Sequence, residues 1–76
     1  MKKNRIEFDS PLDAFVAIAK ELNDYERRYA MTSEEFYDKF SKGQLDDSID
    51  NIEWANDYQL FLSLRRELED QLRRVA

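Results

Sequence analysis

Only two residues punctuate this backbone, Pro11 and Gly43, the one proline and the one glycine among 76 residues. Sheets of short strands need a turn roughly every 8–12 residues, and tight hairpins draw those turns from Gly, Pro and Asn-Gly pairs. Residues 44–76 contain neither breaker. Such a chain is committed to long helices that meet at few corners, and a composition of 38% charged and 42% hydrophobic residues suits packed helices with solvated outer faces. The length allows one domain and one core, and a chain of this size buries only about 60% of the surface its unfolded form exposes. Nothing covalent adds to that. With no Cys and no His, a disulfide framework, a thiolate metal site, the commonest metal ligand and the commonest general base are all excluded.

Local signals divide the chain into an extended or disordered arm over residues 1–9 and a single helical domain over residues 10–76. In the arm, Ile6 and Phe8 alternate with Arg5 and Glu7. Ser10 then stands before Pro11 as an N-cap before an N1 proline, and Asp13 in the first turn complements the positive end of the helix dipole. The first helix is expected from Pro11 to about Ala30. Leu12, Phe15, Val16, Ile18, Ala19, Leu22, Tyr25 and Tyr29 share its apolar face. Thr32-Ser33-Glu34-Glu35 has the form of a capping box, with Glu35 reaching back to the Thr32 N–H and with Met31 and Phe36 as a hydrophobic staple. The second helix is short, about Ser33 to Lys42, and Gly43 stands where a left-handed residue would end it, letting Leu45 fold back. The third begins near Asp47 or Ser48 and continues to the end, reaching about 42 Å against about 30 Å for the first, and so overhangs it. Glu69–Arg73 and Asp70–Arg74 are spaced as supporting i,i+4 pairs. The expected architecture is therefore all-α: a long helix, a short capped helix at a corner, and a longer C-terminal helix.

The third helix carries more apolar perimeter than two companions of this size readily cover. Ile52, Trp54, Ala55, Tyr58 and Leu62 lie on one side of its first half. Phe61, Leu64, Leu68, Leu72 and Val75 form a stripe in its second half, displaced by about a quarter turn onto the sector the acids held earlier. Either the helix bends around one wide core, or a second molecule covers the remainder. The spacing favours self-association into a homodimer or larger helical bundle through Leu60, Phe61, Leu64, Leu68, Leu72 and Val75.

The net charge is −5, unevenly placed. Both ends of the chain are slightly basic, whereas Asp46, Asp47, Asp50, Glu53 and Asp57 follow one another with no base between them. Asp46, Asp50, Glu53 and Asp57 project from one face, with Trp54 and Tyr58 beside them, a pairing of charge and aromatic anchor that interfaces favour. This group, Asp46, Asp50, Glu53, Trp54, Asp57 and Tyr58, is the candidate site for a protein partner. The alternatives are a plain solvated strip and, for Trp54, plain core packing. A straight helix face cannot wrap a hard cation with six or more oxygens, so no metal site is expected there, nor any cofactor. Glu34, Glu35 and Asp47 sit at helix starts that favour the charged carboxylate, which suits caps and not general acids. Phosphate loops and nucleophile elbows are missing. The acidic balance disfavours nucleic acid, although Lys2, Lys3 and Arg5 leave open a DNA-binding repressor that reads through the arm. No apolar run approaches the roughly 20 residues of a membrane span, and a cytoplasmic location is expected.

Two stretches carry a family resemblance. Phe8-Asp9-Ser10-Pro11-Leu12-Asp13 through Tyr29-Ala30-Met31-Thr32-Ser33-Glu34-Glu35-Phe36-Tyr37, and Lys42-Gly43-Gln44-Leu45-Asp46-Asp47 with Ile52-Glu53-Trp54-Ala55, together resemble small prokaryotic proteins regarded as the antitoxin-like half of a toxin–antitoxin pair. The likeness spans roughly residues 8–75 and brings with it no assigned functional residues. It implies a non-catalytic protein that neutralises a small, basic toxin partner. The acidic face would then speed the encounter by electrostatic steering.

Overall fold

The computed structural model describes residues 10–75, and within them the chain forms three α-helices and no strand: α1 Pro11–Tyr29, α2 Ser33–Ser41 and α3 Ile49–Val75. The expected arm, residues 1–9, lies outside the described residues.

Each boundary has a local cause. The Ser10 hydroxyl accepts the Asp13 N–H at 3.2 Å and opens α1 beside Pro11. Thr32 Oγ1 accepts the Glu35 N–H at 3.1 Å and opens α2. The reciprocal arm of the capping box is replaced, because Glu35 pairs instead with Lys39, one turn on, at 3.4 Å. Ser48 Oγ accepts the Asn51 N–H at 3.1 Å, so Ser48 is a cap and α3 starts one residue later, at Ile49. Gly43 ends α2 with φ +74°, its N–H on the Phe40 carbonyl and the Gln44 N–H on the Lys39 carbonyl, the paired bonds of a Schellman end. Leu45 then packs back onto the core, as its sequence position suggests. Helix α1 ends in the same way on a less suitable residue. Ala30 adopts φ 54° with its N–H on the Glu26 carbonyl, and the Met31 N–H closes onto that carbonyl as well. A left-handed alanine costs about 1–2 kcal/mol, so the corner holds Ala30 against its own preference.

Helices α1 and α3 run antiparallel. Arg28 and Tyr29 near the end of α1 meet Asp50 and Trp54 near the start of α3, and Phe15 near the start of α1 stacks on Phe61 at 4.8 Å. Helix α2 lies across one end of this pair. Ile18, Leu22, Phe36, Trp54 and Ala55 are the buried core, with Tyr25, Met31, Tyr37, Phe40, Leu45, Tyr58, Phe61 and Leu64 packed around it. The nine residues of α2 make about 14 Å of helix, half the length of α1, so α2 shields only the first half of α3. This explains the quarter-turn drift of the apolar stripe on α3. Where α2 is present, α3 turns Trp54, Ala55 and Tyr58 toward it. Beyond α2, only α1 is left to face, through Phe61, Leu64 and Leu68. The long dimension of the molecule, 42 Å, is close to the length of α3 itself, about 40 Å, as the expected overhang requires.

Candidate functional site

Two surfaces compete as the functional site: the acidic strip and the open end of the α1–α3 pair.

The acid-rich face is largely the seam between α1 and α3. Asp50 accepts a hydrogen bond from the Tyr29 hydroxyl and pairs with Arg28 at 3.2 Å, while the Tyr25 hydroxyl lies 3.4 Å from the Glu53 carboxylate. Asp57 is half-buried on the same seam and, with Glu53 and Asp50, acts on Tyr25. The Tyr25 phenol is pushed up to about 12, first by burial and then by the Glu53, Asp57 and Asp50 carboxylates. Tyr29 is also raised, chiefly by its hydrogen bond to Asp50. Asp46 does not belong to this face. It precedes α3, and its carbonyl and carboxylate both accept from the Asn51 side chain, at 2.9 and 3.0 Å. Three of the four acids expected to project together do so, but onto the side chains of α1.

The aromatic part of that candidate site is corrected more sharply. Trp54 is only 1% exposed, so it offers no surface to a partner. Its indole lies flat on Phe36, with ring centroids 3.9 Å apart and planes 4° from parallel, and is flanked by Tyr25 and Tyr29 at 5.4 and 5.6 Å. Its N–H donates to Ser33 Oγ at 2.9 Å, and the Ser33 backbone N–H in turn donates to the Glu26 carboxylate at 2.8 Å. All three helices meet in this chain of bonds. Tyr58 is half-buried between Tyr37 and Phe61. Both aromatics serve the core because α2 roofs that end of α3.

The predicted self-association stripe divides in two. Phe61 and Leu64 pack against the chain's own core, Phe61 between Phe15 and the Arg65 guanidinium, so these two are not free for a second molecule. Leu60, about 100° around the helix from Phe61, is exposed on a different side. Leu68 is half-buried, and Leu72 and Val75 are 67% and 81% exposed. Two residues read as inner-face positions of α1 join them in the open: Leu12 is 56% and Val16 is 48% exposed. Leu12, Leu68, Gln71, Leu72 and Val75 line an open groove of about 410 Å³ between the start of α1 and the end of α3. The periodicity of α1 puts Leu12 and Val16 on its apolar side, yet the structure leaves both exposed. It carried no signal that the helix which would cover them stops short.

Every buried side-chain N or O among the described residues has a partner, and no three acidic, His or Cys side chains there gather as a metal site. No described helix is long and apolar enough to cross a membrane. The Lys2, Lys3 and Arg5 arm of the DNA-binding alternative lies outside the described residues. Comparison with family models, with curated proteins and with solved structures finds no match for this chain. In the groove Leu12, Leu68, Leu72 and Val75 converge in the open, and a contiguous exposed patch of that kind suits a contact with another macromolecule.

Proposed function

We propose that this protein is a non-catalytic protein-binding module, of the antitoxin-like kind that the resemblance implies, and that its binding surface is the Leu12–Leu68–Gln71–Leu72–Val75 groove. The observation that carries the reading is the shortness of α2, which leaves two long helices exposing apolar side chains to water. Covering a Leu or Val is worth roughly 1.5–3 kcal/mol when complete, so a helical segment of a partner seated in the groove would gain substantially. The acid-rich seam has the secondary part of steering a basic partner toward the molecule, because Glu53 and the acids around it give that side a negative field. In this reading the partner is a second small protein, and neutralisation is occlusion of its surface.

Site-specific photo-crosslinking in cells tests the proposal. A photoreactive residue at Leu12 or Leu72 should yield a protein adduct, whereas one at the exposed, polar Asp24 should not. Equal yield at all three positions, or none at Leu12 and Leu72, would overturn it.

A further inference from the structure

We infer that the outward face of α3 is a second docking surface, separate from the groove, and that its occupant is an amphipathic helix of another protein with Lys or Arg along one edge. Contacts within the fold fix two sides of α3 over residues 49–63. Toward α1 it turns Asp50 to Arg28 and Tyr29, and it stacks Phe61 on Phe15. Toward α2 it turns Tyr58 to the Tyr37 ring, and the Gln59 amide donates to the Tyr37 hydroxyl at 2.6 Å. The remaining sector holds Ile49, Ile52, Asn56, Leu60 and Ser63. All five are exposed, and at about 100° per residue they fall within about 80° of one another. None is charged, in a chain where 38% of residues are. Further along α3 the same sector carries Glu67, Asp70 and Arg74, an ordinary solvated surface. One helix thus has two kinds of outer face, and the uncharged one sets two isoleucines and a leucine at the three- and four-residue spacing through which helices dock.

The edges of this row differ, and the difference selects the occupant. On the α1 side Glu53 borders the row directly, about 60° from its centre and exposed. Asp57 and Asp50 stand behind it on the seam, adding to the field rather than to the contact. On the α2 side the matching positions are Gln59 and Ala55, both neutral. The Tyr25 phenol, pushed up to about 12 by burial and then by the Glu53, Asp57 and Asp50 carboxylates, reports that the three acids act as one negative edge. A second copy does not answer that edge, because no base occurs between Lys42 and Arg65. Packed antiparallel about a two-fold axis, two such faces set the acidic edge of one against the acidic edge of the other. Packed parallel, they set it against Gln59 and Ala55. Nucleic acid and an anionic lipid surface are repelled by the same carboxylates. A helix with Lys or Arg along one edge does answer it, with aliphatic cover for Ile52 and Leu60 and a charge-assisted contact to Glu53.

Two labelled model peptides, titrated with the full chain and followed by fluorescence anisotropy, test the inference. Both are helical, with leucines three and four residues apart; one carries lysine along one edge and the other carries glutamate there. The lysine peptide should bind and the glutamate peptide should not. Ile52→Glu with Leu60→Glu should weaken the lysine peptide by about tenfold and leave the helical circular dichroism unchanged, since both side chains are exposed. Glu53→Lys should weaken it by about threefold and let the glutamate peptide bind. Leu72→Glu, in the groove, should change neither. No binding of the lysine peptide would overturn the inference, as would binding that survives the Ile52 and Leu60 substitutions or a preference that Glu53→Lys leaves unaltered. A lysine peptide lost on Leu72→Glu alone would place it in the groove, overturning the second surface and leaving the groove reading intact. Binding at the outward face, with no adduct at Leu12 or Leu72, would do the reverse.

Discussion

The two ends of the α1–α3 pair are built from the same two helices and end up in opposite conditions. At the Trp54 end a third helix closes the cleft, three aromatic rings stack around one indole, and even its N–H is satisfied by Ser33. At the Leu72 end the two helices continue without a third, and their leucines and valines face water. Hydrophobic content does not separate the two ends. The length of α2 does, at nine residues against nineteen for α1. A small domain that spends its third element on one end has a half whose cleft-facing apolar side chains are covered and a half whose cleft-facing apolar side chains are not.

The contrast can be broken most severely at its closed end. Trp54→Ala should remove about 3–5 kcal/mol and leave the domain largely unfolded, whereas Leu72→Ala, at a side chain already two-thirds exposed, should cost less than about 1 kcal/mol at concentrations where the chain is monomeric; urea denaturation of the two variants compares them directly. Equal losses would mean that the ends are not distinct. Next in size, Ser33→Ala deprives the buried Trp54 N–H of its acceptor and should cost about 1–3 kcal/mol in the same assay, with a shift in Trp54 fluorescence as the indole environment changes. A smaller effect of opposite sign is expected at the corner. Ala30→Gly relieves the left-handed alanine and should raise stability by about 0.5–1 kcal/mol, the part left after the added freedom of glycine in the unfolded chain is subtracted.

The mildest test uses pH. Tyr25 has its phenol raised to about 12 in the folded protein by burial and by the neighbouring carboxylates, against 10.0 unperturbed. The stability linked to that proton is complete below pH 10, and it is lost as pH rises toward 12, because the unfolded chain releases the proton first. Thermal unfolding of Tyr25→Phe should therefore show a shallower decline over that interval than the unmodified chain. An identical slope would place the alkaline sensitivity elsewhere.

Much of the architecture was legible from single residues. Ser10, Thr32, Ser48 and Gly43 act through hydrogen bonds to backbone groups within five residues of themselves, so their effect is readable without knowing the rest of the fold. The candidate site was less legible. Trp54 beside Asp50 and Glu53 has the composition of an interface, and only the packing of Phe36 over the indole assigns it to the core. Ser33 was visible as part of a cap, but nothing in its neighbourhood marked it as the acceptor for a side chain twenty-one positions away. The exchange of Asp70–Arg74 for Asp70–Arg73 on the exposed end of α3 shows how loosely spacing alone specifies a surface pair.

By itself, then, the amino-acid sequence determined that this protein is helical, where its helices start and stop, and which of their sides are apolar, since caps, breakers and periodicity are matters of the nearest few residues. Only the tertiary structure decided which apolar sides are covered. That depends on how far a nine-residue helix reaches along two longer ones and at what angle the corner held by Ala30, Glu26 and Ser33 sets it down, and both are properties of groups brought together from distant parts of the chain.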